Sequence, residues 1–486
     1  MRVVVPEHSP NDDAVEYVNI ARHLATRDGY VISLKWHCFD SKPVVRPAWG
    51  ERLPGNPFML ATGLALGGDI GMKGVLATVS VALIILFIYC VSKDFSPRVA
   101  LWASILLVFS PNLIANAADY MSEVLFLPLI LAGVFLVGRE KKPLEALITG
   151  SIFGVAMLTR YEAGALFLVS FFLRPRHTRL AGVFYSCIGF AAVIGPYSYI
   201  NYTHNGSPLY TLHFGKTWGV DSAAYSRSLA ALKAPMTLAF VPEHLPAIAT
   251  NVLRNFYNYV KELTGYKFLS LLSPFVLFAA PSRRQARYLV VAALVFVFYG
   301  LSWSAMNLQR FMLLPYLFLL PFALVGFENV LAKVFGKKRR FATAVKIVVF
   351  GTVVFLYGAA YYANVYHRED NPVYAVPGYA AAVEFLEGKV NAGEGVMARD
   401  PWELNWKTGI PAAVLPIDAN YDEAAAWGRE IGVRYILAGR DEVPTEQMPA
   451  ATFGYWRIFD LSARVHLKSV VNTQDLTNRH ERNHIR

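Results

Sequence analysis

Between residues 71 and 363 the chain passes repeatedly through stretches of about 20 mostly apolar residues, the length a helix needs to cross a hydrocarbon core. Backbone polar groups inside a bilayer must be paired within their own segment, so these stretches have to be helices. Spans are expected at about 71 to 92, 97 to 116, 120 to 138, 144 to 158, 160 to 174, 179 to 200, 267 to 281, 286 to 302, 309 to 330 and 342 to 363. For 486 residues, a hydrophobic content of 55% and a mean hydropathy of +0.36 decide against a row of soluble domains. The expected fold is a multi-span α-helical membrane protein.

The net charge of +11 is not the footprint of a nucleic-acid binder, because the basic residues collect in short loops between apolar runs. Lys93/Arg98, Arg139/Lys141/Lys142, Arg174/Arg176/Arg179, Arg283/Arg284/Arg287 and Lys333/Lys337/Lys338/Arg339/Arg340 fall on one side, which the positive-inside rule makes cytoplasmic. The N-terminal segment, the loop 201–266 and everything after Ala363 then face out of the cell membrane. Three units follow: residues 1–70 as an outer loop with interfacial helices, 71–363 as the transmembrane domain, and 364–486 as a small extracytoplasmic α/β domain. In the last, Pro377 to Gly388 and Asp422 to Gly432 read as helices, and Gly395 to Ala398 and Val433 to Leu437 as strands. The residues from Asn472 on are polar and expected to be a loose end. Pro54 to Gly68 is apolar but short for a span, and reads as a helix at the interface. An outward segment over 1 to 53 with no span before it points to an N-terminal helix omitted from this start, the alternative being a short segment that translocates unaided. Cys38, Cys90 and Cys187 suggest no disulfide framework.

Asp12 and Asp13 open a helix in which Val15, Val18, Ile20, Ala21 and Leu24 form an approximate apolar stripe. Acids there are ordinarily capping devices favoured by the helix dipole. Their place beside the first span gives them a second reading, because lone charges recur at the same membrane face. Asp119 and Glu123 lie where the span near 120 begins, Arg160 and Glu162 at the next outward turn, and Trp303, Gln309 and Arg310 at another. Arg160 and Glu162 as a simple helix-end pair, and Arg310 as a snorkelling side chain, are the bland alternatives. As a set, opposed charges at one face build a polar cavity that binds an anion and activates a hydroxyl. Arg46 and Arg52, in the approach to the interfacial helix, join that set.

Such an arrangement suits group transfer from a membrane-bound phosphate carrier. Arginines hold the phosphate by forked, charge-assisted hydrogen bonds and stabilise it as it leaves, while one carboxylate takes the acceptor proton. There is no phosphate loop or dinucleotide fingerprint, and no His/Cys cluster. Two adjacent acids make a weak cation site, so no divalent metal is expected.

The ordered set of Asp12-Asp13, Arg52-Leu53-Pro54-Gly55-Asn56-Pro57-Phe58, Ser122-Glu123, Leu158-Thr159-Arg160-Tyr161-Glu162, Gly195-Pro196-Tyr197, Asn201-Tyr202 and Gly206-Ser207-Pro208 resembles the GT-C glycosyltransferases. The nearest likeness is to the branch holding protein O-mannosyltransferases and the lipid A aminoarabinose transferase, and it covers about 1 to 210. Tyr161 stands where that branch often has Pro, and Ile200 where it often has Arg. The resemblance implies a polyprenyl-phosphate sugar as donor, a glycan, lipid or protein acceptor, inversion at the anomeric carbon, and Asp12 as catalytic base with Asp13 beside it. Arg46, Arg52, Asp119, Glu123, Arg160, Glu162 and Arg310 are then the expected residues around substrate and lipid phosphate. The alternative of another class is a transporter or flippase for a lipid-linked or anionic solute, which the gathering of charges near one face and the lack of half-to-half symmetry disfavour.

Overall fold

The computed structural model describes residues 12–38, 41–174, 179–211, 227–229, 245–302, 308–336, 338–366, 376–443 and 445–462. Helix α1 (Asp12–Ala25) lies outside the helical bundle and buries Ala14, Tyr17, Val18 and Ala21 against Leu60, Met72, Tyr120 and Val124. The next helical stretch, α2 (Gly55–Asp94), is two helices joined at Gly67 and Gly68, whose backbone leaves the helical region. At that joint the chain folds back so sharply that a Cβ on Gly71 would stand 2.0 Å from the Gly63 carbonyl oxygen. The expected separate short helix before the first span is therefore present, and the glycine pair makes the bend.

Helices α3 (Pro97–Val108) and α4 (Pro111–Ala118) each begin with proline, which suits a first turn because its missing N–H has no partner there anyway. They meet at 54°, the bend of a broken span or of a re-entrant loop. Then come α5 (Glu123–Leu136), α6 (Pro143–Met157), α7 (Glu162–Leu173) and α8 (Arg179–Asn205). Glycines let α6 and α8 cross closely: a Cβ on Gly150 would lie 1.9 Å from the Ser186 carbonyl oxygen, and one on Gly189 2.1 Å from that of Leu147.

Beyond the outer loop lie α9 (Leu245–Thr264), a 3₁₀ stretch (Ser270–Phe278), α10 (Arg283–Ser302), the short α11 (Leu308–Phe311), α12 (Leu313–Phe335) and α13 (Arg339–Tyr366). Among the described residues five helices are long and apolar enough to cross by themselves, and the bent pair α3–α4 makes a sixth if it is one span. Helices α5, α6 and α7 have 14, 15 and 12 residues, and 267–281 holds the 3₁₀ stretch with Pro274 rather than a continuous α-helix. Helix α9, amphipathic and packed through Phe256 and Tyr259 on Phe296 of α10, was expected only as loop.

The C-terminal region is the expected α/β layer, with one addition. Its six-stranded sheet runs in the order β2 (Leu34–Lys35), β5 (Ala412–Val414), β4 (Gly395–Ala398), β6 (Val433–Gly439), β8 (Trp456–Asp460), β7 (Ala451–Phe453). Strands β2, β5, β4 and β6 are parallel, and β8 and β7 antiparallel. The strand at one edge thus comes from the N-terminal segment, with Leu34 opposite Ala412 and Lys35 opposite Ala413, so two segments expected as separate units share a sheet. A further hairpin pairs β1 (Val31–Ile32) with β3 (Arg46–Pro47). Helices α14 (Tyr379–Glu387) and α15 (Pro401–Thr408) cover one sheet face and α16 (Tyr421–Glu430) the other. Asn201, in a formal glycosylation sequon, is buried and spends its amide on the carbonyls of Pro208 (3.3 Å) and Tyr210 (2.9 Å). Trp303 and the tail from Asn472 lie outside the described residues.

Candidate active site

Helix α1 presents Asp13 and Glu16 one turn apart, and the hairpin ending at β3 delivers Arg52 against both. Arg52 Nη2 stands 2.5 Å from Asp13 Oδ1, and its Nε 2.7 Å from Glu16 Oε2. Arg310, on α11, reaches the other oxygen of Asp13 at 2.5 Å and Glu123 at 3.3 Å. Arg160, in the turn before α7, then pairs with Glu123 at 2.5 Å and with Glu162 at 2.7 Å. Tyr299 of α10 donates to Glu162 at 2.9 Å, and at the far end the Trp402 indole N–H of α15 donates to Glu16 at 3.2 Å.

The result is one chain of alternating charge: Glu16, Arg52, Asp13, Arg310, Glu123, Arg160, Glu162. Its members are largely buried, so each charge depends on its neighbours for the solvation it has lost. Phe311 lies beneath two of the guanidiniums, with Arg160 5.7 Å and Arg310 5.2 Å from its ring centre. One link is incomplete. Arg310 is held by charge, yet its Nε and Nη1 are buried without a well-angled hydrogen bond among the described residues.

Asp12 stands apart from the chain. It makes no ion pair or side-chain hydrogen bond among the described residues, and it remains exposed at the edge of the cluster. Protein packed about its carboxyl still withdraws enough water to push it up to about 7; burial contributes most, then the negative charges of Asp400 and Asp13, with Glu16 adding less and Arg227 opposing. The two adjacent aspartates are therefore different in kind. Asp13 is neutralised by two arginines, whereas Asp12 is a carboxyl of raised basicity with access to solvent.

The structure joins five of the expected residues, Asp13, Arg52, Glu123, Arg160 and Glu162, to Arg310, with Asp12 alongside. Two others go elsewhere. Arg46 is locked to Glu51 and to the carbonyl of Val44 at 2.9 Å, inside the hairpin, so it is a structural residue of that loop. Asp119 caps the C-terminal end of α4. Sequence reasoning missed Glu16, Tyr299, Asp400 and Trp402. Only Glu16 carried a local signal, being one turn from Asp12 and Asp13 on the same helix face.

Residues 46–198 match the model of the dolichyl-phosphate-mannose-protein mannosyltransferase family. Among solved structures, ArnT from Cupriavidus metallidurans in the apo state aligns with TM-score 0.59 at 13% identity, covering 93% of this chain and 94% of that one. The same protein bound to undecaprenyl phosphate gives TM-score 0.55 at 13% identity over 94% and 95%. The Archaeoglobus fulgidus oligosaccharyltransferase in the apo form gives TM-score 0.55 at 11% identity over 90% and 68%. No protein of curated function matches the chain in sequence. The resemblance to GT-C membrane glycosyltransferases is thus borne out by a family segment matched over 46–198 and by a fold shared with these structures over 90–94% of the chain.

Proposed function

We propose that this protein is a glycosyltransferase that moves a sugar from a polyprenyl-phosphate donor to an acceptor hydroxyl at the extracytoplasmic face of the cell membrane. The observation that carries the reading is the division of labour at the start of α1. Asp12 offers a solvent-accessible carboxylate of raised basicity, and one residue on begins a chain of ion pairs that gathers Arg52, Arg310 and Arg160 at the same place. Asp12 takes the acceptor's proton while the acceptor oxygen forms a bond to the anomeric carbon. The bond from that carbon to the phosphate oxygen breaks, its electron pair goes to the departing polyprenyl phosphate, and an in-line attack inverts the centre.

Arg310, with Arg160 and Arg52 behind it, is the proposed source of charge stabilisation for that leaving group. Their carboxylate partners hold them in place before the donor arrives, so little reorganisation is left for the moment of reaction. Glu123, Glu162 and Glu16 are positioning residues in this scheme. The donor class is supported by the family matched over 46–198 and by the undecaprenyl phosphate bound to a protein of the same fold.

The decisive assay offers a panel of radiolabelled polyprenyl-phosphate sugars to the purified protein in detergent and measures free polyprenyl phosphate. Detergent removes any vectorial movement. Release that depends on an added acceptor supports transfer, and the absence of release from every donor that the protein retains on a filter favours a carrier of lipid-linked solutes.

A further inference from the structure

Helix α15 of the sheet region lies along α1, inside the site rather than beside it. Trp402 meets Glu16 at 3.2 Å and Asn405 meets Asn19 at 3.0 Å. Partners thus advance by three residues on both helices, so α1 and α15 run parallel with their first turns side by side. Asp12 is the first residue of α1, and Asp400 is the N-cap of α15, accepting from the Glu403 N–H at 3.2 Å. The pairing is firm elsewhere too. Trp406 lies under Arg22 at 4.9 Å, Asn19 also bonds Ser33 at 2.8 Å, and β2 joins the sheet next door. A third element arrives from the outer loop: Arg227 lies 5.0 Å from the Trp402 ring centre, and its carbonyl accepts from the Ile417 N–H at 2.9 Å.

We infer that the C-terminal sheet region, packed along α1, completes the transfer site, with Asp400 and Arg227 as positioning residues of opposite charge that act on Asp12. The inference rests on the proposed role of Asp12. The charged groups that act on Asp12 are Asp400 from α15, Asp13 and Glu16 on its own helix, and Arg227 from the loop. Asp13 and Glu16 belong to the chain of ion pairs with the arginines, whereas Asp400 and Arg227 reach the start of α1 from other elements. A negative neighbour favours the protonated form of Asp12 and strengthens it as a base, and a positive one does the reverse. The proton therefore passes to a carboxylate tuned by a part of the chain nearly four hundred residues away.

Two variants test this with opposite signs. Asp400→Asn removes the charge and keeps an N-cap side chain of equal quality, so α15 stays formed. Arg227→Gln removes the positive charge. Infrared difference spectra of the purified full chain, titrated with pH, identify the Asp12 carboxylic-acid band as the one missing in Asp12→Asn. In Asp400→Asn the midpoint of that band moves to lower pH by about half a unit or more, and in Arg227→Gln it moves up. The acid limb of the rate profile shifts in the same two directions. Midpoints that stay fixed, or that move the same way in both variants, overturn the inference. An Asp12→Asn protein of full activity overturns the assignment of the base, and the band midpoints still report on the coupling.

Discussion

The two ends of α5 carry the same kinds of side chain put to different use. Glu123 begins the helix inside the chain of ion pairs, and Arg139 follows its far end, about 21 Å away at 1.5 Å per residue. There Asp94, its side chain fully enclosed, receives Arg139, Arg287 at 2.8 Å and the Tyr288 hydroxyl at 2.5 Å. Both Nη groups of Arg287 are committed, one to Asp94 and the other to the Val137 carbonyl at 2.6 Å. That cluster ties the end of α2 to α5 and α10. At the other end, Asp12 is accessible without a side-chain partner among the described residues, and Arg310 divides its charge between Asp13 and Glu123. Buried charge marks both places, and an accessible carboxyl of raised basicity beside one of them separates the candidate site from a clasp.

The contrast is broken most easily at Asp12. Asp12→Asn keeps the size of the side chain and removes the base, so transfer falls by about 10³-fold, within the range for loss of a general base, while the thermal midpoint stays put. Asp94→Ala should do the opposite. It leaves the buried Arg287 and the partly exposed Arg139 without their shared anion, a loss of about 3 kcal/mol seen as a lower unfolding midpoint in detergent, with turnover per folded molecule retained. Arg310→Ala is expected to reduce the rate by about 10²-fold with little change in midpoint, and Arg310→Lys to recover part of it. The pH dependence sharpens the picture further. Asp12 works ionised, so kcat/KM rises with pH through about 7 and falls roughly tenfold for each unit below it. The smallest effect belongs to Trp402→Phe, which removes one hydrogen bond to Glu16 and lowers stability by about 1 kcal/mol, read as a small shift in the unfolding midpoint.

Much of this architecture is written locally. Pro97, Pro111 and Pro143 open helices where proline fits a first turn, Gly67-Gly68 breaks a long apolar run, and lone charges at the tops of spans flag the site. Strands 395–398 and 433–437 follow from short apolar runs. The remainder depends on contacts that no window of sequence contains. Trp402 and Asp400 meet α1 only because the sheet is assembled, and Tyr299 meets Glu162 only because α10 packs beside α7. Arg46 misleads for the same reason. Its charge looks available in the sequence, but Glu51 closes on it across a tight hairpin. Helix α5 is shorter than the expected span 120 to 138, because the backbone turns at Tyr120 (φ 55°) before Glu123 opens the helix.

The edge strand Leu34–Lys35 also fixes a counting rule. Its backbone pairs with residues 412–413, so both segments occupy one aqueous compartment, and the chain between them must traverse the bilayer an even number of times. Any topology map with an odd tally is ruled out by those few hydrogen bonds alone. Biosynthesis inherits the rule as a delay, because the outermost strand is made early and waits at the membrane surface until the polypeptide's final third emerges to receive it.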